Sequence, residues 1–113
     1  MALKEKTVLQ EFFGDYPLIR VLDYLLENRL EDHSKTEIAR GADVGWSTLF
    51  QYWGRLEARG IVRVTRSFGK TKLYKINEAS HFVKLLKKME FELIRGAMET
   101  DAKEARIAVV RAK

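Results

Sequence analysis

Two groups of residues in the middle of the chain could carry chemistry. The first is Arg63, Arg66, Lys70, Lys72 and Lys75, five cations within thirteen positions. Guanidinium and ammonium groups placed this densely suit the phosphates of a polyanion, and such contacts weaken as salt rises. The second is Ser47, Thr48, Gln51 and Arg55, separated by helical steps of three and four. Gln bonds an adenine edge through two hydrogen bonds, and Arg reaches a guanine or a phosphate. Ser47 and Thr48, near a helix N-terminus, suit phosphate oxygens. Trp46 and Phe50 share this side and are odd there. Contact with thymine methyls or sugars accounts for them, and so does packing on a neighbouring chain. There is also a plainer account of both groups. Exposed Ser, Gln and Arg are ordinary on a helix surface, and lysines also protect the edge of a sheet from aggregation.

Other chemistry is missing. The chain has no cysteine, which excludes disulfides, thiolate metal sites and cysteine nucleophiles. His33 and His81 stand far apart without a metal-spaced neighbour, and they read as surface or helix-start residues. Asp15 and Asp23 make no acid–base pair by themselves. There is no glycine-rich phosphate loop and no nucleophile elbow. The expectation is therefore no enzyme, no cofactor and no metal. No apolar run approaches the ~18 residues of a membrane span. The first residues carry acids and lack a continuous apolar stretch, unlike a signal peptide, so a cytoplasmic location is expected.

Charge position tells more than charge total. The 113 residues hold 21 Lys+Arg and 16 Asp+Glu, a net charge of +5. Residues 1–33 carry four cations against seven acids, residues 34–77 nine against three, and residues 78–113 eight against six. The middle segment alone exceeds the net total, beside an acidic first third. Such a division implies a polarised surface. With 46% hydrophobic and 33% charged residues, the chain has the composition of one small globular domain. Its two Asn and two Gln are compatible with a thermophilic source.

These side chains need elements to hold them. Leu3 to Phe13 reads as a short first helix that stops at Gly14. Asp15-Tyr16-Pro17 starts a second, with Asp15 accepting from free amides and Pro17 in the first turn. Leu18, Val21, Leu22, Leu25 and Leu26 give it an apolar stripe ending near Asn28. Ser34 and Glu37 form a capping box for a short third helix that ends at Gly41. A tight turn, residues 42–45, points Val44 at the core. A longer helix then runs from Trp46 to about Arg59, closed by Gly60. At about 100° per residue, Leu49, Tyr52, Trp53 and Leu56 share its inner side, while Ser47, Phe50, Gln51, Gly54 and Arg55 share the outer. Gly54 in mid-helix costs ~1 kcal/mol relative to Ala. Close packing beside Trp53 explains it, and so does close approach of a nucleic-acid backbone. The period then becomes two over Ile61–Arg66 and, in part, over Lys72–Ile76, with a turn at Ser67–Thr71, so a basic hairpin follows. From Glu78 the helical period returns for about thirty residues.

The segment from Thr36 to Arg40, the turn at Val44, Leu49, the run Leu56-Glu-Ala-Arg-Gly-Ile-Val62 and the final Tyr74-Lys-Ile-Asn77 together resemble the winged helix-turn-helix domains of prokaryotic, archaeal-type transcriptional regulators. The resemblance covers roughly Leu18 to Asn77 and does not assign a subfamily. Metal sensors of the arsenic-repressor type use Cys and His ligands, and this chain has no Cys. The acidic–arginine wing pattern of multiple-antibiotic-resistance-type regulators is also absent. The fold implied is mainly α with a small β-hairpin, a winged helix-turn-helix followed by a long C-terminal helix. Residues 1–77 form the winged part and residues 78–113 a dimerisation element of the same domain.

The resemblance implies a homodimer that binds double-stranded DNA and regulates transcription. The expected contacts are Trp46, Ser47, Thr48, Phe50, Gln51 and Arg55 in the major groove and Arg66, Lys70 and Lys72 at the wing, along phosphates or in the minor groove. Phe82, Leu86, Met89, Leu93 and Ala97 approximate a heptad seam for a second copy, joined by Phe12 and Phe13; the alternative is that this helix folds back on its own domain. Two recognition helices would then lie about 34 Å apart, one DNA turn. A winged helix also serves as a protein-interaction scaffold, and the exposed Trp46 and Phe50 fit that reading. RNA binding is a third possibility. No small-molecule effector is legible.

Overall fold

Two of the helices begin on capping boxes and a third on a proline. The computed structural model describes the backbone of residues 6–112 and the side chains of residues 6–104 and 106. Residues 3–5 of the expected first helix lie outside them. Helix α1 (Val8–Phe13) opens on a second capping box. The Thr7 hydroxyl accepts from the Gln10 amide at 3.2 Å, and the Gln10 side chain accepts from the Thr7 amide at 2.9 Å. Helix α2 (Pro17–Glu27) has Pro17 in its first turn, where the missing N–H is no loss. Asp15 does not cap it as expected. Tyr16 is the cap residue, no side chain caps the helix, and Asp15 instead takes Arg20 at 3.2 Å. Helix α3 (Lys35–Gly41) has the expected box between Ser34 and Glu37. Helix α4 (Trp46–Ala58) follows a turn in which Asp43 takes φ +56°, a conformation Asp tolerates better than most residues.

The apolar stripes meet in one core. Val21, Leu22, Leu25 and Leu26 of α2 close on Ile38 of α3 and on Leu49, Trp53 and Leu56 of α4. Val44 packs against this core from the turn, as expected. Strands β1 (Val62–Phe68) and β2 (Thr71–Ile76) form an antiparallel hairpin. The turn between them is only Gly69-Lys70, tighter than expected, and Gly69 sits at φ +58°, the positive φ that a two-residue turn with Gly first requires. The register jumps between Val64 and Arg66, leaving Thr65 as a bulge.

Helix α5 (His81–Ala112) closes the core with Val83 and Leu86 and leans Leu93 on it, while α1 packs on both α2 and α5. The stripe expected as a seam is therefore shared. Leu86 and Leu93 serve this chain's own body, whereas Phe82, Met89 and Ala97 remain exposed. From Ile94 onward every described side chain is exposed. The helical backbone continues to Ala112, and the side chains of Ile107, Val109 and Val110 lie outside the described residues.

Two buried polar residues were not anticipated. Asp23 is 4% exposed and accepts a hydrogen bond from the Thr7 hydroxyl, which ties α1 to α2. Burial pushes its carboxyl above the usual value despite that bond. His33, expected at the surface or at a helix start, immediately precedes the N-cap of α3 and is buried. It lies between α2 and β2, as described below.

The glycines of α3 and α4 behave oppositely. A Cβ on Gly41 would overlap the ring of Tyr24, whereas a Cβ on Gly54 would meet nothing within 4 Å. Gly41→Ala should lower the unfolding free energy by about 1–3 kcal/mol. Gly54→Ala should raise it by about 0.5–1 kcal/mol. Urea denaturation of both variants checks the two signs.

Candidate nucleic-acid interface

Helix α4 can hold its outer side chains at a set angle only if its inner side is fixed, and Trp53 fixes it. The Trp53 ring meets the buried Tyr74 of β2 edge to face, with centroids 4.9 Å apart. Tyr74 in turn exchanges two backbone hydrogen bonds with His33, at 2.9 and 2.8 Å, so His33 extends the hairpin by one bridge. The His33 Nδ1 lies 3.2 Å from the Tyr24 hydroxyl. Helix α4, the hairpin and α2 are thus joined through Trp53, Tyr74, His33 and Tyr24. The ammonium of Lys35 sits beside it, 5.5 to 5.7 Å from the ring centres of Phe50, Trp53 and Tyr74.

The outer side of α4 carries two parallel stripes. Ser47, Gln51 and Arg55 form a polar one, all exposed, with Thr48 half-buried beside it. The Arg55 guanidinium lies 5.8 Å from the Tyr52 ring centre. Trp46, Phe50 and Gly54 form the other. Trp46 and Phe50 are 48% and 55% exposed and meet edge to face at 5.3 Å. The open space around Gly54 removes close packing as a reason for that glycine. No side chain caps the start of α4, so the amides of its first turn are presented to solvent.

The wing is held by an acid. Asp32, in the loop before α3, accepts from Thr65 Oγ1 at 2.6 Å and from Arg66 Nε and NH2 at 2.8 Å each. The bulge at Thr65 lets two successive residues reach one carboxylate. Arg66, expected on phosphate, is bidentate on Asp32 and lies against Phe68 at 5.4 Å. Lys70 and Lys72 extend the wing tip, exposed. Among the described residues no carboxylate lies within ion-pair distance of Lys35, Lys70 or Lys72. Arg63 and Lys75 face each other lower on the hairpin. Among the described residues no group of acids, histidines or cysteines is placed to hold a metal, and no helix is long and apolar enough to cross a membrane.

Three helices, a hairpin wing and a fixed outer helix define a winged helix-turn-helix, carried on a long terminal helix. No protein-family model and no curated protein sequence matches the chain. Solved structures do. An apo mutant of ZitR from Lactococcus lactis superposes with a TM-score of 0.61 at 11% identity, over 89% of this chain and 81% of that one. The transcription regulator MepR of the Staphylococcus aureus multidrug efflux pump MepA gives 0.58 at 13% identity, over 92% and 82%. Sso10a-2, a DNA-binding protein from Sulfolobus solfataricus, gives 0.52 at 19%, over 80% and 92%. ZitR is described as a zinc-responsive MarR family member. The chain therefore shares its fold with proteins of the multiple-antibiotic-resistance type. At these identities the likeness establishes the winged-helix fold.

The Arg66 guanidinium and the Thr65 hydroxyl hold the Asp32 carboxyl well below the usual carboxylate range. A depressed folded-state value means stability that is complete above the ordinary aspartate value of about 3.9 and drains away as pH falls below it. Asp32→Asn should lower the melting temperature at pH 7. The gap to the unaltered protein should narrow as pH drops below about 4. A gap that stays constant to acid pH would show that the clamp is not ionic.

Proposed function

We propose that the chain is a cytoplasmic transcriptional regulator, and not an enzyme, that binds double-stranded DNA as a homodimer. In this reading α4 enters the major groove, with Gln51 and Arg55 on base edges and Ser47 and Thr48 on phosphates. Lys70 and Lys72 lie on phosphates or in the adjacent minor groove. Arg66 acts by holding the wing on Asp32 rather than by spending its charge on phosphate. The observation that carries the reading is the exposed polar stripe of α4 together with a wing tip whose lysines have, among the described residues, no carboxylate within ion-pair distance. The three structural neighbours described as a transcription regulator, a regulator-family member and a DNA-binding protein support it.

The second copy is proposed for α5 and α1. Phe82, Leu85, Met89, Ile94 and Met98 of α5 are exposed, as are Phe12 and Phe13 of α1. At about 100° per residue, Phe82, Leu85 and Met89 share one side of α5, and an exposed apolar patch of this kind marks an interaction surface. In this arrangement residues 1–77 carry the DNA-binding part, and residues 78–113, joined by α1, pair the copies.

Selection from a random duplex pool should return a dyad-symmetric site with half-sites about one helical turn apart. Gln51→Ala and Arg55→Ala should each cost about 1–3 kcal/mol on that site. An unenriched pool, or a selected site to which both variants bind unchanged, removes α4 as the reading element. Met89→Glu alters an exposed residue and should leave the fold intact while yielding monomers by light scattering. A Met89→Glu dimer would move the interface elsewhere.

A further inference from the structure

The groove between α4 and the wing does not resemble a surface built only to face paired bases. It measures about 420 Å³, within the roughly 300–1,000 Å³ of small-molecule sites. The stripe that lines it is the aromatic one, Trp46 and Phe50, and not Ser47, Gln51 and Arg55. Lys35, Lys70 and Lys72 line it as well, and Glu57 lies at the opposite end of α4 from Trp46. The rings are about half exposed and Lys35 approaches the Phe50 ring at 5.5 Å. Exposed rings among unpaired cations are what single-stranded nucleic acid requires, because every base offers a face to stack and every nucleotide brings a phosphate. A duplex offers the phosphates and hides the base faces.

Resting on the proposed DNA-binding function, we infer that this groove takes an unpaired nucleotide of the bound DNA, its base against Trp46 and Phe50 and its phosphates on Lys35, Lys70 and Lys72. The protein then favours DNA with an unstacked or unpaired position over a fully paired duplex. The charge fits a polyanion: among the lining residues three cations stand against one acid, Glu57.

The test compares one labelled duplex, fully paired, with the same duplex carrying a three-nucleotide bulge, at the same salt and with the full chain. The bulged duplex should bind at least about fivefold more tightly, the low end of base–aromatic stacking. Trp46→Ala and Phe50→Ala should each weaken binding of the bulged duplex more than of the paired one, and so erase that preference. Lys72→Ala should weaken both duplexes alike. Trp emission should be quenched by the bulged duplex and not by the paired one, and the quench should vanish in Trp46→Phe. Equal affinity for the two duplexes with unmoved Trp emission overturns the nucleotide site and leaves duplex binding standing. Binding to neither duplex overturns both readings. A change of Trp46 emission with protein concentration alone, without DNA, assigns the ring pair to contact between copies and overturns the site.

Discussion

The packing of Trp53 on Tyr74 is the contact on which the rest of the interface depends. A helix and a hairpin can act on one ligand only if the angle between them is fixed. Here the fixing element is a pair of buried rings whose centroids are 4.9 Å apart. Aromatic pairs of this geometry contribute about 0.5–1.5 kcal/mol beyond the area they bury. Tyr74 also takes both backbone bonds of His33, and His33 reaches Tyr24 of α2. A shift of Tyr74 would therefore disturb the wing, α4 and the loop before α3 together.

Charge is arranged around this junction with the same economy. The wing segment is rich in cations, yet Arg66 is committed to Asp32, so the basic surface that faces outward is smaller than the residue count. The lysines at the tip and at the start of α3 keep their charge unpaired among the described residues. Asp32, counted with the acidic first third of the chain, belongs structurally to the wing. Its carboxylate converts a bulge, which would otherwise loosen an exposed hairpin, into a held corner.

Local signals in the sequence were legible because local physics sets them. Ser34 and Glu37 cap α3, Pro17 opens α2, and the spacing of Leu49, Trp53 and Leu56 turns α4 correctly. The Thr7–Gln10 box has the same pattern and could have been read for α1. Asp15 misled, since a neighbouring Arg20 offers its carboxylate a better partner than the helix amides. What sequence could not show is set by pairings across the fold. Asp32 meets Arg66 from 34 positions away, and His33 is buried because β2 folds over it. An apolar stripe also does not name its partner. Leu86 and Leu93 close on this chain's own core while Phe82 and Met89, on the same helix, remain exposed.

The central claim is that the α4–wing face meets the phosphates of DNA. Its most direct test is the affinity for a random-sequence duplex measured across a range of salt. Each phosphate neutralised contributes about −0.9 to the slope of log K against log salt. Contacts from Lys70 and Lys72 in each of two copies predict a slope of about −3.6 or steeper. Affinity that does not change with salt, or no binding at low salt, would contradict the account.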